Sequence, residues 1–156
     1  EFKGFMGMRN FIIETTDGKR LAWANSNWTH LVISTGLPAR LTPADTDNYV
    51  LSKKMEMDYA PRKIKLPDSM IPQESFAVQK HHLDTNHHVN NCQYICMAED
   101  FLPEDFKVYQ MRAEYKMQAK LGDTICPKTK TEAGKVVVSL NDENGKPYAV
   151  VEFTEK

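Results

Sequence analysis

The chain is poor in cysteine: it has three in 156 residues, an odd number, and no CxxC pair. That excludes a CxxC paired-thiol motif, and it fits reduced thiols in a cytoplasmic protein better than a disulfide framework. No sign of charge dominates, with 20 Lys and Arg against 21 Asp and Glu. Nucleic-acid binding rests on neutralising phosphates, so no nucleic-acid partner is expected. No run approaches the ~20 apolar residues of a membrane helix, and no basic-then-apolar leader opens the chain, so no membrane partner is expected. An initiator Met is also lacking at Glu1, which gives the expectation of a fragment. What is present, 41% apolar residues in a length usual for one domain, is enough for a buried core.

Met8 to Glu14 reads as a strand, Asp17-Gly18 as a hairpin turn, and Arg20 to Ser34 as a longer strand carrying Trp23, Trp28, Leu31 and Ile33. Thr35-Gly36-Leu37-Pro38 breaks it. From about residue 42 to 72 the chain holds Pro43, Pro61, Pro67 and Pro72 and no sustained periodicity, which reads as a tethered linker. Its Tyr49, Met55, Met57 and Tyr59 are candidates to dock on a neighbouring surface. Ser75 to Leu83 reads as a strand, and Asn91 to Leu102 as a helix capped by Asn90 or Asn91. Apolar residues nearly all round that helix predict burial. Residues 108–119 alternate, with Tyr109, Met111, Ala113, Tyr115, Met117 and Ala119 on one face and Gln110, Arg112, Glu114, Lys116 and Gln118 on the other. Gly122, Gly134 and Gly145 then separate three more strands. One buried helix on one antiparallel sheet, an α+β fold, is the simplest use of these parts. A weak repeat accompanies it: Gly18-Lys19-x-x-Ala22 matches Gly145-Lys146-x-x-Ala149, and Phe11-x-Ile13 falls on Val138-x-Leu140 at the same offset.

Between the predicted strand and helix lie Asp84, Asn86, His88, Asn90 and Asn91, together with His81, His82 and His87. Such polarity beside an apolar helix is costly unless the groups face solvent or do chemistry. A carboxylate, an amide and an imidazole at alternate positions can converge on one water or substrate atom. The helix start adds N–H donors for a developing oxyanion. Other readings stay open. Asp84 serves equally as a turn acceptor and Asn90 as a plain cap. The histidine pairs could hold a metal, and Cys92 with His88 could form a nucleophile pair.

The run Asp84-x-Asn86-x-His88-Val89-Asn90-Asn91-x-x-Tyr94 resembles the signature loop of the acyl-[acyl carrier protein] thioesterases of plants and bacteria. Glu114 to Ala119 with Gly122-Asp123 is similar to that family's catalytic strand. Arg9-Asn10-Phe11 to Trp28, then Thr35-Gly36-x-Pro38-x-Arg40, resembles the closing strands of its first domain. The resemblance implies two tandem hotdog folds, each an antiparallel sheet wrapped around a central helix. On it, residues 1–42 are trailing strands of a first, incomplete hotdog, 43–70 a linker, and 71–156 a second hotdog with the catalytic loop. It implies Asp84, Asn86 and His88 as catalytic residues. Gln118 stands where the family usually has glutamate, and Ala119 where plant members often have cysteine.

The implied reaction is hydrolysis of fatty acyl-[acyl carrier protein] thioesters in fatty acid biosynthesis, with no cofactor, metal or nucleotide. The implied partner is an acyl carrier protein bearing a phosphopantetheine-linked acyl chain, with Lys80, Lys107, Lys116 and Lys120 as candidate contacts. Hotdog domains usually pair their sheets, so a homodimer is a further expectation. The alternatives are a non-catalytic acyl-binding hotdog, favoured by Gln118, and a metal-dependent hydrolase using the paired histidines.

Overall fold

Turn residues and strand formers alternate through the first unit, Glu1–Pro61, of the two into which the chain divides. The computed structural model describes every residue from Glu1 to Lys156. In this unit β1 (Phe2–Lys3), β2 (Met6–Glu14) and β3 (Arg20–Thr29) form an antiparallel sheet in chain order. Gly18, at φ +85°, supplies the left-handed residue of the β2–β3 turn. β3 ends at Thr29 rather than Ser34. Leu31 instead pairs with Pro38 across a loop in which Gly36 N–H bonds the Val32 carbonyl at 2.8 Å. The breaker cluster thus pulls Leu31 and Ile33 out of the strand.

Beyond one helical turn, α1 (Pro43–Thr46), the chain to Pro61 has no regular structure. It docks on β2 through Asn10, whose Oδ1 accepts from Met55 N–H at 3.3 Å and from the Tyr59 hydroxyl at 3.1 Å. No residue in this unit is buried, and Phe11, Ile13, Trp23 and Trp28 are each about half exposed or more.

The second unit, Arg62–Lys156, contains β4 (Ile71–Pro72), β5 (Phe76–Ala77), α2 (Asn91–Glu99), β6 (Gln110–Tyr115), β7 (Thr124–Glu132), β8 (Lys135–Asn141) and β9 (Pro147–Thr154). Its six-stranded antiparallel sheet runs β4-β7-β8-β9-β6, with β5 also on β7. Helix α2 packs on β8 and β9, the hotdog arrangement. Tyr94, Met97 and Ala98 meet Val136, Val138 and Leu140 of β8 and Ala149, Val151 and Phe153 of β9. The opposite face is covered too: Ile64 packs on Val137 and Val150, beside Met70. Burial on both faces explains why β8 and β9 read as continuous apolar runs rather than alternating ones.

Three expectations are corrected here. Ser75–Leu83 is not one strand: after β5, residues Lys80–His82 form a 3₁₀ turn, stabilised as His82 Nδ1 accepts from Gln79 N–H at 2.9 Å. Helix α2 stops at Glu99, because Phe101 and Leu102 tighten into bonds to Ala98 and Glu99 and Pro103 follows. Nor is α2 buried all round, since Cys92 and Cys96 are exposed.

The repeat extends from five matched positions to a whole hairpin. Phe11 pairs with Ala24 as Val138 pairs with Val151, and Ile13 with Ala22 as Leu140 with Ala149. Each hairpin then slips at the same step, so that Glu14 faces Arg20 and Asn141 faces Pro147. The turns also agree: Thr15 N–H bonds the Lys19 carbonyl and Asp142 N–H the Lys146 carbonyl, both at 2.9 Å.

Candidate active site

The loop from Asp84 to His88 is a tight reversal between Leu83 and Val89, which pair as an isolated bridge. Asp84 N–H bonds the His88 carbonyl at 2.8 Å, and His87 N–H bonds the Asp84 carbonyl at 3.1 Å. His87 sits at φ +60°, unusual for a residue with a Cβ, and so allows the reversal in few residues. The Asp84 carboxylate closes the turn from inside: its Oδ1 accepts from Asn86 N–H at 2.8 Å and from His88 N–H at 3.3 Å.

The turn-acceptor role considered for Asp84 is therefore real, and it ties the backbones of Asn86 and His88 to the carboxylate. Desolvation pushes the Asp84 carboxyl up. The Asn86 and His88 amides, the Asn86 side chain and the nearby His88 imidazole outweigh it and hold its pKa below the usual carboxylate value. Asp84 and His88 are half-buried, and Asn86 is exposed.

The loop is anchored on two sides. Asn90 N–H bonds the His82 carbonyl at 2.9 Å, while Val89 N–H bonds the Ala119 carbonyl at 2.9 Å and His88 bridges to Lys120. Asn90 is the N-cap of α2, its Oδ1 accepting from Cys92 N–H at 2.9 Å. Gln93 N–H bonds the Asn90 carbonyl. Two of the first-turn amides offered as oxyanion donors are thus already used, which leaves Asn91 N–H.

Gln118 is exposed and lies past the end of β6. The alternation predicted through residue 119 does not reach it, because Lys116 N–H and Met117 N–H both bond the Tyr148 carbonyl, at 2.8 and 3.2 Å. Two donors on one acceptor interrupt the ladder. The polar residues of β6 face away from α2. Arg112 bonds Glu152 at 2.7 Å, and Glu114 accepts from Ile64 N–H at 3.0 Å, so Glu114 is a fastener for residues 62–66.

His81 and His82 stack edge to face at 4.1 Å, and desolvation together with His81 lowers the pKa of His82. No group of three His, Cys, Asp or Glu side chains converges in a metal-binding arrangement. Lys116 is tied to Glu114 at 3.1 Å, whereas Lys80, Lys107 and Lys120 make no ion pair. Two cavities, about 240 and 260 Å³, lie elsewhere, at Leu66–Ser139 and at Arg9–Trp28. No helix is long and apolar enough to cross a membrane. Sequence reasoning missed the bond from Ala119 N–H to the Tyr94 hydroxyl at 2.9 Å. The signal was available, since a tyrosine on an apolar helix face needs a partner for its oxygen.

Comparison with known proteins agrees with this architecture. A crystal structure of an acyl-ACP thioesterase from Bacteroides thetaiotaomicron superposes with a TM-score of 0.87 at 19% identity, over 99% of this chain and 64% of that one. One from Lactobacillus plantarum, assigned as an oleoyl thioesterase, gives a TM-score of 0.73 at 22% identity, over 96% of this chain and 62% of that one. These likenesses show the hotdog fold, and the chain spans less than two thirds of either relative. No curated protein sequence matches. The acyl-ACP thioesterase C-terminal domain matches residues 65–153. The chain therefore belongs to the acyl-ACP thioesterase family.

Proposed function

We propose that this chain carries the hydrolytic site of a fatty acyl-[acyl carrier protein] thioesterase acting in fatty acid biosynthesis in the cytoplasm. Water adds to the thioester carbonyl, the C–S bond breaks, and free fatty acid and the phosphopantetheine thiol leave. Asp84 orients and activates the water. Asn86 and His88 position it and polarise the carbonyl, with Asn91 N–H as a backbone donor. Gln118, which can hydrogen-bond a water but cannot take its proton at neutral pH, acts in positioning. Residues 71–156 form the hotdog bearing this site, 43–70 the connection, and 1–42 the trailing strands of a preceding hotdog. The shared hairpin register and slip of β2–β3 and β8–β9 support that last assignment. The carrier protein approaches over Lys80, Lys107 and Lys120.

The observation that carries the reading is the tight turn in which the Asp84 carboxylate accepts from the Asn86 and His88 backbone amides, which gathers the three residues beside the start of α2. The test separates the chemistry of Asp84 from its role as a turn acceptor. Asp84→Asn keeps an oxygen for the Asn86 and His88 amides and removes the charge. Asp84→Ala removes both. With an acyl carrier protein thioester as substrate, Asp84→Asn is expected to lose about 10²–10⁴-fold in turnover with the His88 amide resonance little moved. Undiminished turnover in Asp84→Asn would show that the loop is a turn and nothing more.

A further inference from the structure

Tyr94 lies in the middle of α2 with 2% of its surface exposed. Its hydroxyl oxygen accepts from Ala119 N–H at 2.9 Å. Ala119 is itself fully buried, so that amide has no access to water. The carbonyl of the same residue accepts from Val89 N–H at 2.9 Å, and the next pair along is the His88–Lys120 bridge. One phenolic oxygen on the helix therefore fixes the backbone segment to which the outgoing arm of the 84–88 loop is bonded. A second tyrosine works on the same junction: Tyr115 donates to the Asn91 carbonyl at 3.2 Å, and the two rings pack at 6.1 Å.

From this geometry we propose that Tyr94 is a positioning residue that holds the Asp84–His88 loop in its closed form. In that form Asp84 Oδ1 receives both the Asn86 and the His88 amides. The inference rests on the reading of the loop as hydrolytic and adds to it a residue that touches neither substrate nor water. The chain of causes is short. Without the hydroxyl, Ala119 N–H is left buried and unpaired, the 119–120 segment moves to satisfy it, and Val89 and His88 move with it. The longer of the two bonds to Asp84, from His88 N–H, then opens first. With it goes part of what holds the carboxylate below its ordinary pKa. A tyrosine serving only to fill space would not couple to Asp84 in this way.

The experiment is Tyr94→Phe in the full chain, read by carbon NMR titration of the Asp84 carboxyl and by amide exchange. We expect the Asp84 midpoint to rise toward the ordinary aspartate value and the Val89 amide to exchange faster, while Val138 is unchanged. With an acyl carrier protein thioester, kcat should fall about 10-fold or more with KM within about twofold. Tyr148→Phe is the control. Tyr148 is also buried. Its hydroxyl reaches Asp123 at 3.5 Å, and Asp123 in turn accepts from Lys120 N–H at 2.9 Å, so this variant perturbs the same 119–120 segment more remotely and the Asp84 midpoint should move less than in Tyr94→Phe. An unchanged Asp84 midpoint and Val89 exchange rate in Tyr94→Phe would overturn the proposal. If that variant does not fold, a ring-fluorinated tyrosine at position 94 weakens the acceptor while nearly keeping the shape, and the same readouts decide. Undiminished turnover in Asp84→Asn would refute the hydrolytic reading instead, and the Asp84 titration in Tyr94→Phe would still decide this one.

Discussion

Phe11 and Val138 occupy equivalent positions in the two hairpins, yet their truncation should cost very different amounts. Val138 is fully buried between the sheet and α2. Val138→Ala removes two methyl groups, about 1.6 kcal/mol of transfer free energy at ~0.8 kcal/mol each, and adds a cavity term, for ~2–3 kcal/mol in all. Phe11 is larger but 48% exposed. Only about half of the ~1.5–3 kcal/mol for burying its ring is in play, so Phe11→Ala should cost ~1 kcal/mol. Both tryptophans, Trp23 and Trp28, lie in the Glu1–Pro61 unit, so their fluorescence follows it through a urea titration. Amide exchange in β8 and β9 follows the other unit. At slopes of ~1–2 kcal/mol per molar urea, Val138→Ala should move its midpoint by about 1 M or more, and Phe11→Ala should move the fluorescence midpoint by clearly less. A Phe11→Ala shift as large as that of Val138→Ala would refute the reasoning, because it would mean that Phe11 is covered in the folded chain.

Two further outcomes are expected. His87 is held at φ +60°, so His87→Gly should leave the melting temperature equal or higher, while His87→Val should destabilise by about 1–2 kcal/mol, both read by thermal denaturation. Gln118→Glu should raise turnover modestly, or leave it unchanged if the new carboxylate and Asp84 raise each other's pKa; an inert parent rescued fully by this variant would show that Asp84 does not suffice.

The strongly patterned parts of the fold were legible in sequence. The Asp17-Gly18 and Asn144-Gly145 turns, the Asn90 cap and the apolar strands β8 and β9 all follow from local chemistry. Contacts over long sequence distance were not legible. Residues 62–70 read as linker by their prolines and charges, yet Ile64 caps the outer face of the sheet, and this turns Glu114 into a fastener. The alternation across residues 108–119 looked unbroken because side-chain pattern does not report that Lys116 and Met117 share one acceptor. In the site, the spacing of Asp84, Asn86 and His88 was readable, as was the turn propensity of Asp84. The clamp from Tyr94 through Ala119 to Val89 joins residues far apart in the chain, and no periodicity announces it.

A carboxylate that caps its own loop is a poor proton acceptor in the free protein, and this bears on how Asp84 could act as a base. Its pKa lies below the ordinary value because amide donors outweigh desolvation. For a depressed carboxyl the sign is fixed: loop closure draws its full benefit above the unfolded value of about 3.8 and loses it as pH falls through the folded value. General-base efficiency, however, improves as the pKa approaches the working pH. Desolvation is already the largest single influence on Asp84, and it acts upward. An acyl thioester laid over the half-exposed loop would add to that influence and remove none of the amide donors. The carboxyl should therefore become more basic when substrate is bound. The profile of kcat/KM reports the free protein and that of kcat the complex. The acidic limb of kcat is thus expected at higher pH than that of kcat/KM, with both limbs lost in Asp84→Asn. Coincident limbs would mean that substrate does not desolvate Asp84, which would then only orient the water.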